Sequence, residues 1–258
     1  MKILFLILAL VLFQACAAKK LAVEHADSFI ESSVTQRLPL TASQRAVLAE
    51  DIDGFLTKKK AVAQELLPVI DQMKIDQPEK LDSLYQKFLS HYKDLATDFS
   101  QIMAKHIASL DSKQQKKFFS KLEDENESML KKKDSVRMEQ MESKVEKLIG
   151  ALNKQQEKFF DDHQSYFGKK SKARIDRRQK LHGELKTILA QETDVASKQT
   201  KVQEAFATYQ NESIESSYSN LPLIKQFVPS MTVQQKEQFR ERMQDLREMI
   251  NYYIEADY

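Results

Sequence analysis

The sequence predicts an all-α protein: elongated antiparallel helical hairpins in a bundle, with long helices that partly bridge solvent. Three observations carry that expectation. Breakers are scarce, with only 4 glycines and 5 prolines in 258 residues, while Lys, Glu, Gln, Leu and Ala, all good helix formers, abound. No run of alternating apolar and polar residues is bounded by turn signals, so no strand is expected. And one short pattern recurs four times, each copy reading as the start of a helix.

The copies are Leu40-Thr41-Ala42-Ser43-Gln44, Leu110-Asp111-Ser112-Lys113-Gln114, Leu152-Asn153-Lys154-Gln155-Gln156 and Met231-Thr232-Val233-Gln234-Gln235. Each gives an apolar residue, a cap former, two free positions and a glutamine. An apolar residue then follows seven after the cap: Leu48, Phe118, Phe160 or Phe239. Thr, Asp or Asn at the cap accepts from the free amides of the first turn, and Gln at N3 reaches back to the cap's own amide. The device ends one segment and starts the next.

Residues 1–15 read as a signal peptide: Lys2 is a short positive region and Ile3 to Phe13 an apolar run. That run is shorter than the roughly 20 residues a membrane-spanning helix needs. Residues 16–40 then form an N-terminal segment with a first helix, and 41–258 a single elongated helical domain. In the first helix Leu21, Phe29, Ile30 and Val34 share a face, and Pro39 disfavours helix at Leu38.

From Thr41 to about residue 74, apolar steps of three and four (Leu48, Ile52, Phe55, Val62, Leu66, Ile70) mark a second helix, kinked by Pro68. Asp76-Gln77-Pro78 reads as a turn in which Asp76 or Gln77 caps the next helix. That helix has the cleanest period: Leu81, Tyr85, Phe88, Tyr92, Leu95, Phe99, Ile102 and His106. His106 is expected as a partly buried, hydrogen-bonded residue rather than a metal ligand, because no His, Cys or carboxylate lies one turn away on its face.

A further helix is expected from Asp111 to Ile149, about 58 Å long if unbroken. Its middle, Glu123 to Asp134, is polar nearly all round and should bridge solvent, with Lys131-Lys132-Lys133 a solvated face. Gly150 makes a corner, and a short aromatic helix is expected to end at Gly168 as its C′ residue. Asp194 should cap a helix through Val202, Phe206 and Tyr209. Residues 211–230, rich in Ser and Asn with Pro222 and Pro229, take no assignment. The last motif opens a helix carrying Phe239, Met243, Leu246, Ile250 and Tyr253.

Cys16 is the only cysteine. It makes no internal disulfide, although the leader marks the chain for export. Residues 1–16 resemble a bacterial lipoprotein signal, in which Cys16 is acylated; Ala15 and Cys16 match, whereas Phe13 and Gln14 depart from the usual residues. The alternative is an ordinary signal peptide followed by an unused cysteine. Ala17 after the cysteine resembles lipoproteins passed to the outer membrane, which implies anchorage there, facing the periplasm. The repeated motif is similar to the LTxxQ signature of Spy-type periplasmic chaperones; the Thr41 copy matches fully, and the others replace threonine or leucine. Over nearly its whole length the chain resembles a helical proteobacterial lipoprotein family of unknown function. That resemblance rests on the signal with Cys16, the Leu40 to Gln44 turn, Leu66-Leu67-Pro68, the charged helix into Leu148-Ile149-Gly150, and the final motif.

No glycine-rich phosphate loop, Ser/His/Asp set or metal-ligand spacing appears, so an enzyme, a cofactor or a metal is not expected. Charge is balanced at +2 overall, which with export argues against nucleic acid. Two readings remain: a membrane-anchored helical binding or chaperone-like module, or an envelope structural spacer without clients. One stretch offers a partner site. Lys170, Arg174, Arg177 and Arg178 recur at helical steps on one face, where like charges repel. Either acids from a neighbouring helix cover them, or they contact anionic lipid or glycan of the envelope.

Overall fold

The structure, a computed structural model, describes residues 20–21, 23–73, 75, 77–192 and 194–256. The leader, Cys16 and Asp76 lie outside the described residues. Among those residues every regular element is helical, and the fold is all-α. No helix in it is long and apolar enough to cross a membrane.

Helix α1 (Ala26–Thr35) buries Ile30 and Val34 and stops before a bend in which Leu38 and Leu40 are also buried. α2 (Ala42–Asp71) continues through Pro68 and ends one residue before Gln72, whose amide bonds back to Pro68 O. A single 3-10 turn (Pro78–Lys80) leads into α3 (Leu81–Ala108). Gln77 does not cap α3, which has no side-chain cap; Gln77 O instead accepts from Lys80 N–H at 3.0 Å.

The expected helix over 111–149 is two helices, α4 (Ser112–Lys131) and α5 (Asp134–Ile149). Lys132 and Lys133 are extended, with ψ of 125° and 151°. The reason is local. Three adjacent lysines have no apolar face to hold a helix in place, and the whole stretch from Lys131 to Val136 is exposed. The break is stitched by Arg137, whose guanidinium donates to Met129 O at 2.7 Å and so serves a carbonyl of the last turn of α4.

α6 (Lys154–Asp162) ends at His163, not at Gly168. His163 sits at φ −105°, ψ 8°, and its Nδ1–H donates to Phe159 O at 2.8 Å. α7 (Gln164–Gln191) then runs straight through Gly168. Packing does not demand glycine there: a Cβ would stand 3.4 Å from the Asp134 carboxylate at the start of α5, an ordinary van der Waals contact. Asp194 caps α8 (Val195–Tyr218), accepting from Ser197 N–H at 2.7 Å. Residues 211–230, which take no assignment from sequence, are helical apart from a turn at 219–220. α8 carries on to Tyr218, α9 (Leu221–Phe227) has Pro222 in its first turn, and a 3-10 turn (Val228–Ser230) leads to α10 (Val233–Glu255). Proline in a first turn removes only an amide that had no partner.

α2 and α3 pack antiparallel, tied by Lys59 to Asp98 and by His106 to Asp51. α3 pairs in turn with α8, where Gln210 donates to Ala96 O and Tyr85 to Ser217 O. α8 pairs with α7 through Lys180 and Glu212. The largest core joins these helices to α1 and α4 through Leu48, Ile52, Ile107, Phe118, Leu185 and Val202. α10 lies against the second half of α2, and a third cluster gathers Ile75, Ile149, Val228 and Met231.

Gly150 is the corner between α5 and α6. Its φ of 85° and ψ of −172° lie in a region that is essentially glycine-only. Gly150→Ala should therefore lower unfolding free energy by about 1–3 kcal/mol in urea titration, while far-ultraviolet circular dichroism keeps its helical form. An unchanged midpoint would mean that the corner relaxes freely.

Candidate functional site

All four motif positions are helix N-caps with both arms of the capping box made: Thr41 on α2, Asp111 on α4, Asn153 on α6 and Thr232 on α10. The glutamines do more than close their own boxes. They meet in pairs. Gln156 and Gln235 exchange amide hydrogen bonds in both directions, each 2.9 Å. Each carboxamide oxygen also accepts from its own cap's amide, Asn153 N–H and Thr232 N–H, at 3.0 Å. Each amide nitrogen has a second acceptor on the other strand, Ser230 O at 3.2 Å for Gln156 and Ala151 O at 2.8 Å for Gln235. Those carbonyls belong to the residues just before Met231 and Leu152, so the two motifs grip each other through equivalent atoms. Gln156 is 0 % exposed and Gln235 5 %.

The first two motifs make a similar arrangement with one amide exchange instead of two. Gln114 donates to Gln44 Oε1 at 2.6 Å and to Pro39 O at 2.8 Å, and Gln44 donates to Ser109 O at 3.3 Å. Pro39 and Ser109 again directly precede Leu40 and Leu110. This pair is more open, since Gln44 is only half-buried. The chain thus runs motif, two long helices, motif, two helices, and then motif, four helices, motif and a last long helix. The sequence placed the caps but not the pairing. One signal was present: a glutamine that uses its oxygen on a cap keeps two N–H donors that must find acceptors.

Between the paired ends lies an apolar cavity of about 340 Å³. Its wall comes from α1, α2, α3, α7, α8 and α10, with the aromatic residues Phe55, Phe99, Phe206, Tyr92 and Tyr209 prominent. Lining residues run from Phe55 to Leu66 on α2 and from Tyr92 to Met103 on α3, a length of about 16 Å at the helical rise per residue. Several expected seam residues of α3 are only half-buried because they face this space. Most polar groups on the wall are engaged: Tyr253 donates to Leu56 O, Gln210 to Ala96 O, Ser100 to Thr97 O, and Lys59 pairs with Asp98. Ser213 is not. It is 8 % exposed, and its Oγ has no hydrogen-bond partner. Burial, and then the neighbouring Tyr209, raise the Tyr92 pKa.

The basic face of α7 is not an open patch. Lys170, Arg174, Arg177 and Arg178 are each half-buried. Lys170 donates to Ser216 O at 3.1 Å and to the Ser219 hydroxyl, at the C-terminal end of α8. Arg178 pairs with Glu125 of α4, which also holds Arg37 at 2.8 Å. Among the described residues Arg174 and Arg177 make no ion pair; burial lowers the Arg174 pKa, and Arg177 Nε is buried without a partner. Cys16 lies outside the described residues.

Burial lowers the pKa of two histidines. His106, 3 % exposed, bonds through Nε2 to Asp51 at 2.8 Å, and burial lowers its pKa against the pull of that carboxylate. His182 takes a hydrogen bond from the Asn126 amide on Nδ1 at 2.9 Å; burial, and then Arg178, lower its pKa to about 4. Among the described residues no group of His, Cys, Asp or Glu is placed to hold a metal ion. No protein-family model, curated protein or solved structure matches the chain.

Gln156→Ala removes four hydrogen bonds and strands buried groups, so it should cost about 2–4 kcal/mol, against about 1 kcal/mol for the more exposed Gln44→Ala. A double-mutant cycle of Gln156 and Gln235 should show coupling of about 1 kcal/mol or more. Equal, small losses at all four glutamines would refute the pairing as a stabilising element.

The pH dependence has a definite sign. His182 is neutral in the fold down to about 4, whereas the unfolded chain protonates it near 6.5. Stability present above pH 6.5 is therefore lost as pH falls toward about 4. Urea midpoints should drop across that window, and His182→Gln should flatten the drop relative to the unmutated chain. Identical slopes would show that His182 is not titrating there.

Proposed function

We propose that this protein is an envelope lipoprotein, anchored through Cys16 and facing the periplasm, that works as a helical binding module. One observation carries the reading: an apolar cavity of about 340 Å³ with a wall of phenylalanines, tyrosines and aliphatic side chains. Close-packed interiors leave few voids larger than a water molecule, and a spacer has no use for one. Concave, mostly apolar spaces with a few placed polar groups are the usual form of a binding site. The LTxxQ-like motifs support the same reading indirectly, by pinning the helices whose middles form the wall.

The Cys16→Ser chain should bind an environment-sensitive apolar dye with a rise in fluorescence, and Ala63→Trp, which fills the wall of the cavity, should abolish that rise. Dye binding that is indifferent to Ala63→Trp would leave the spacer reading instead. Anchoring is checked separately: Cys16→Ser should move the protein from the membrane to the soluble periplasmic fraction. An N-terminal peptide with no acyl mass would overturn that part.

A further inference from the structure

We propose that the cavity takes a single-chain amphiphile, a long-chain fatty acid, rather than a segment of polypeptide. This rests on the reading of the cavity as a binding site and names its ligand class. The first argument is polar demand. A peptide carries an N–H and a C=O at every residue, and buried ones need partners. The wall offers few, because Tyr253, Gln210 and Ser100 already serve neighbours within the protein. An occupant made of methylenes with one polar end suits such a wall. Apolar cavities of this kind stay dry and accept apolar guests.

The second argument is shape. Six helices line the space, along about 16 Å of α2 and α3, a length that suits one extended acyl chain. The third is the placement of the few polar groups. Ser213 Oγ is buried on the wall without a partner, and a buried hydroxyl in a native fold normally has one. It lies on the face of α8 that also presents Tyr209 and Gln210 to the cavity. Among the described residues Lys59 is the only charged side chain on the wall. Its partner Asp98 sits outside the wall with its side chain 44 % exposed, so the ammonium can exchange that carboxylate for another while Asp98 returns to water. The assignment is a carboxylate received by Lys59 and Ser213, with the tail running toward Phe55, Phe99 and Phe206. No bond is made or broken; the site binds and releases.

The test uses the full chain carrying Cys16→Ser, free of detergent, with palmitate, hexadecanol and a reduced unfolded polypeptide competing against a bound apolar dye. Palmitate is expected to displace the dye at one molecule per chain, about tenfold more tightly than hexadecanol. Lys59→Met should erase that preference, and Ser213→Ala should weaken both ligands severalfold. Ala96→Leu, a milder filling change than Ala63→Trp, should weaken every apolar ligand, and circular dichroism checks that both variants fold. Equal affinity for palmitate and hexadecanol overturns the fatty-acid assignment while leaving the cavity a binding site. Displacement by the polypeptide but not by palmitate overturns it as well, again without touching the binding-module reading. If no apolar molecule enters, and the dye ignores Ala96→Leu and Ala63→Trp alike, both the assignment and the binding module fall.

Discussion

Four helix starts depend on one chemical fact: a primary carboxamide has an oxygen that accepts twice and a nitrogen that donates twice. At Gln156 and Gln235 all of that capacity is used inside the protein, on the cap's amide, on the partner amide and on the carbonyl before the partner motif. Neither glutamate nor leucine can replace it, since one lacks donors and the other lacks both. The result joins residues 79 positions apart at a point with almost no water. The helices leaving the first pair end beside the second. Ile75, just past α2, and Ile149, at the end of α5, cluster with Val228 and Met231 next to the second pair. α10 leaves that pair and returns along α2, where Tyr253 reaches Leu56 O.

Pinning both ends bears on what the middle can leave open. An empty space in a core costs on the order of several kcal/mol when the surroundings are held apart, and side chains close it where they are free to move. Here α2 is fixed at its start by the Thr41 box, along its length by Lys59 and Asp51, and near its end by Arg247 on Asp71 at 2.8 Å. α3 is held by α2 on one side and α8 on the other. The walls therefore stay apart while Leu48, Ile52 and Ile107 nearby are packed without exposure. A cavity beside so tight a core is a feature of how the helices are held, not of loose packing throughout.

Much of the fold was legible from local chemistry. The caps at Thr41, Asp111, Asn153, Thr232 and Asp194 were readable because capping is decided within four residues of sequence. The buried, hydrogen-bonded state of His106 was readable from its place in an apolar seam, but its partner Asp51 was not, because 55 residues separate them. The break at Lys132 and the passage of α7 through Gly168 went the other way. At the first, three exposed lysines have no apolar face to hold a helix, and Arg137 serves the freed Met129 O; at the second, Tyr166 and Lys170 on either side of the glycine bond to the C-terminal end of α8. Propensity ranks glycine as a stop and lysine as a helix former, and neither ranking decided the outcome. The cavity was not legible, since a space between helices has no sequence signature of its own.

The basic face of α7 shows the same limit in electrostatic form. From sequence, four cations at three- and four-residue steps repel and call for something to offset them. The offset is distributed over different partners. Lys170 takes the carbonyl of Ser216 in the last turn of α8, where the helix dipole favours a cation. Arg178 takes Glu125, shared with Arg37 near the first motif, and so ties α7 to α4 beside the larger core. Arg174 and Arg177 lack such partners among the described residues, and burial lowers the Arg174 pKa. A face that reads as one patch in sequence is thus two interhelix ties with a half-buried cationic gap between them. Any anion reaching it would meet two guanidiniums, at positions 174 and 177, rather than the four charges of the sequence pattern.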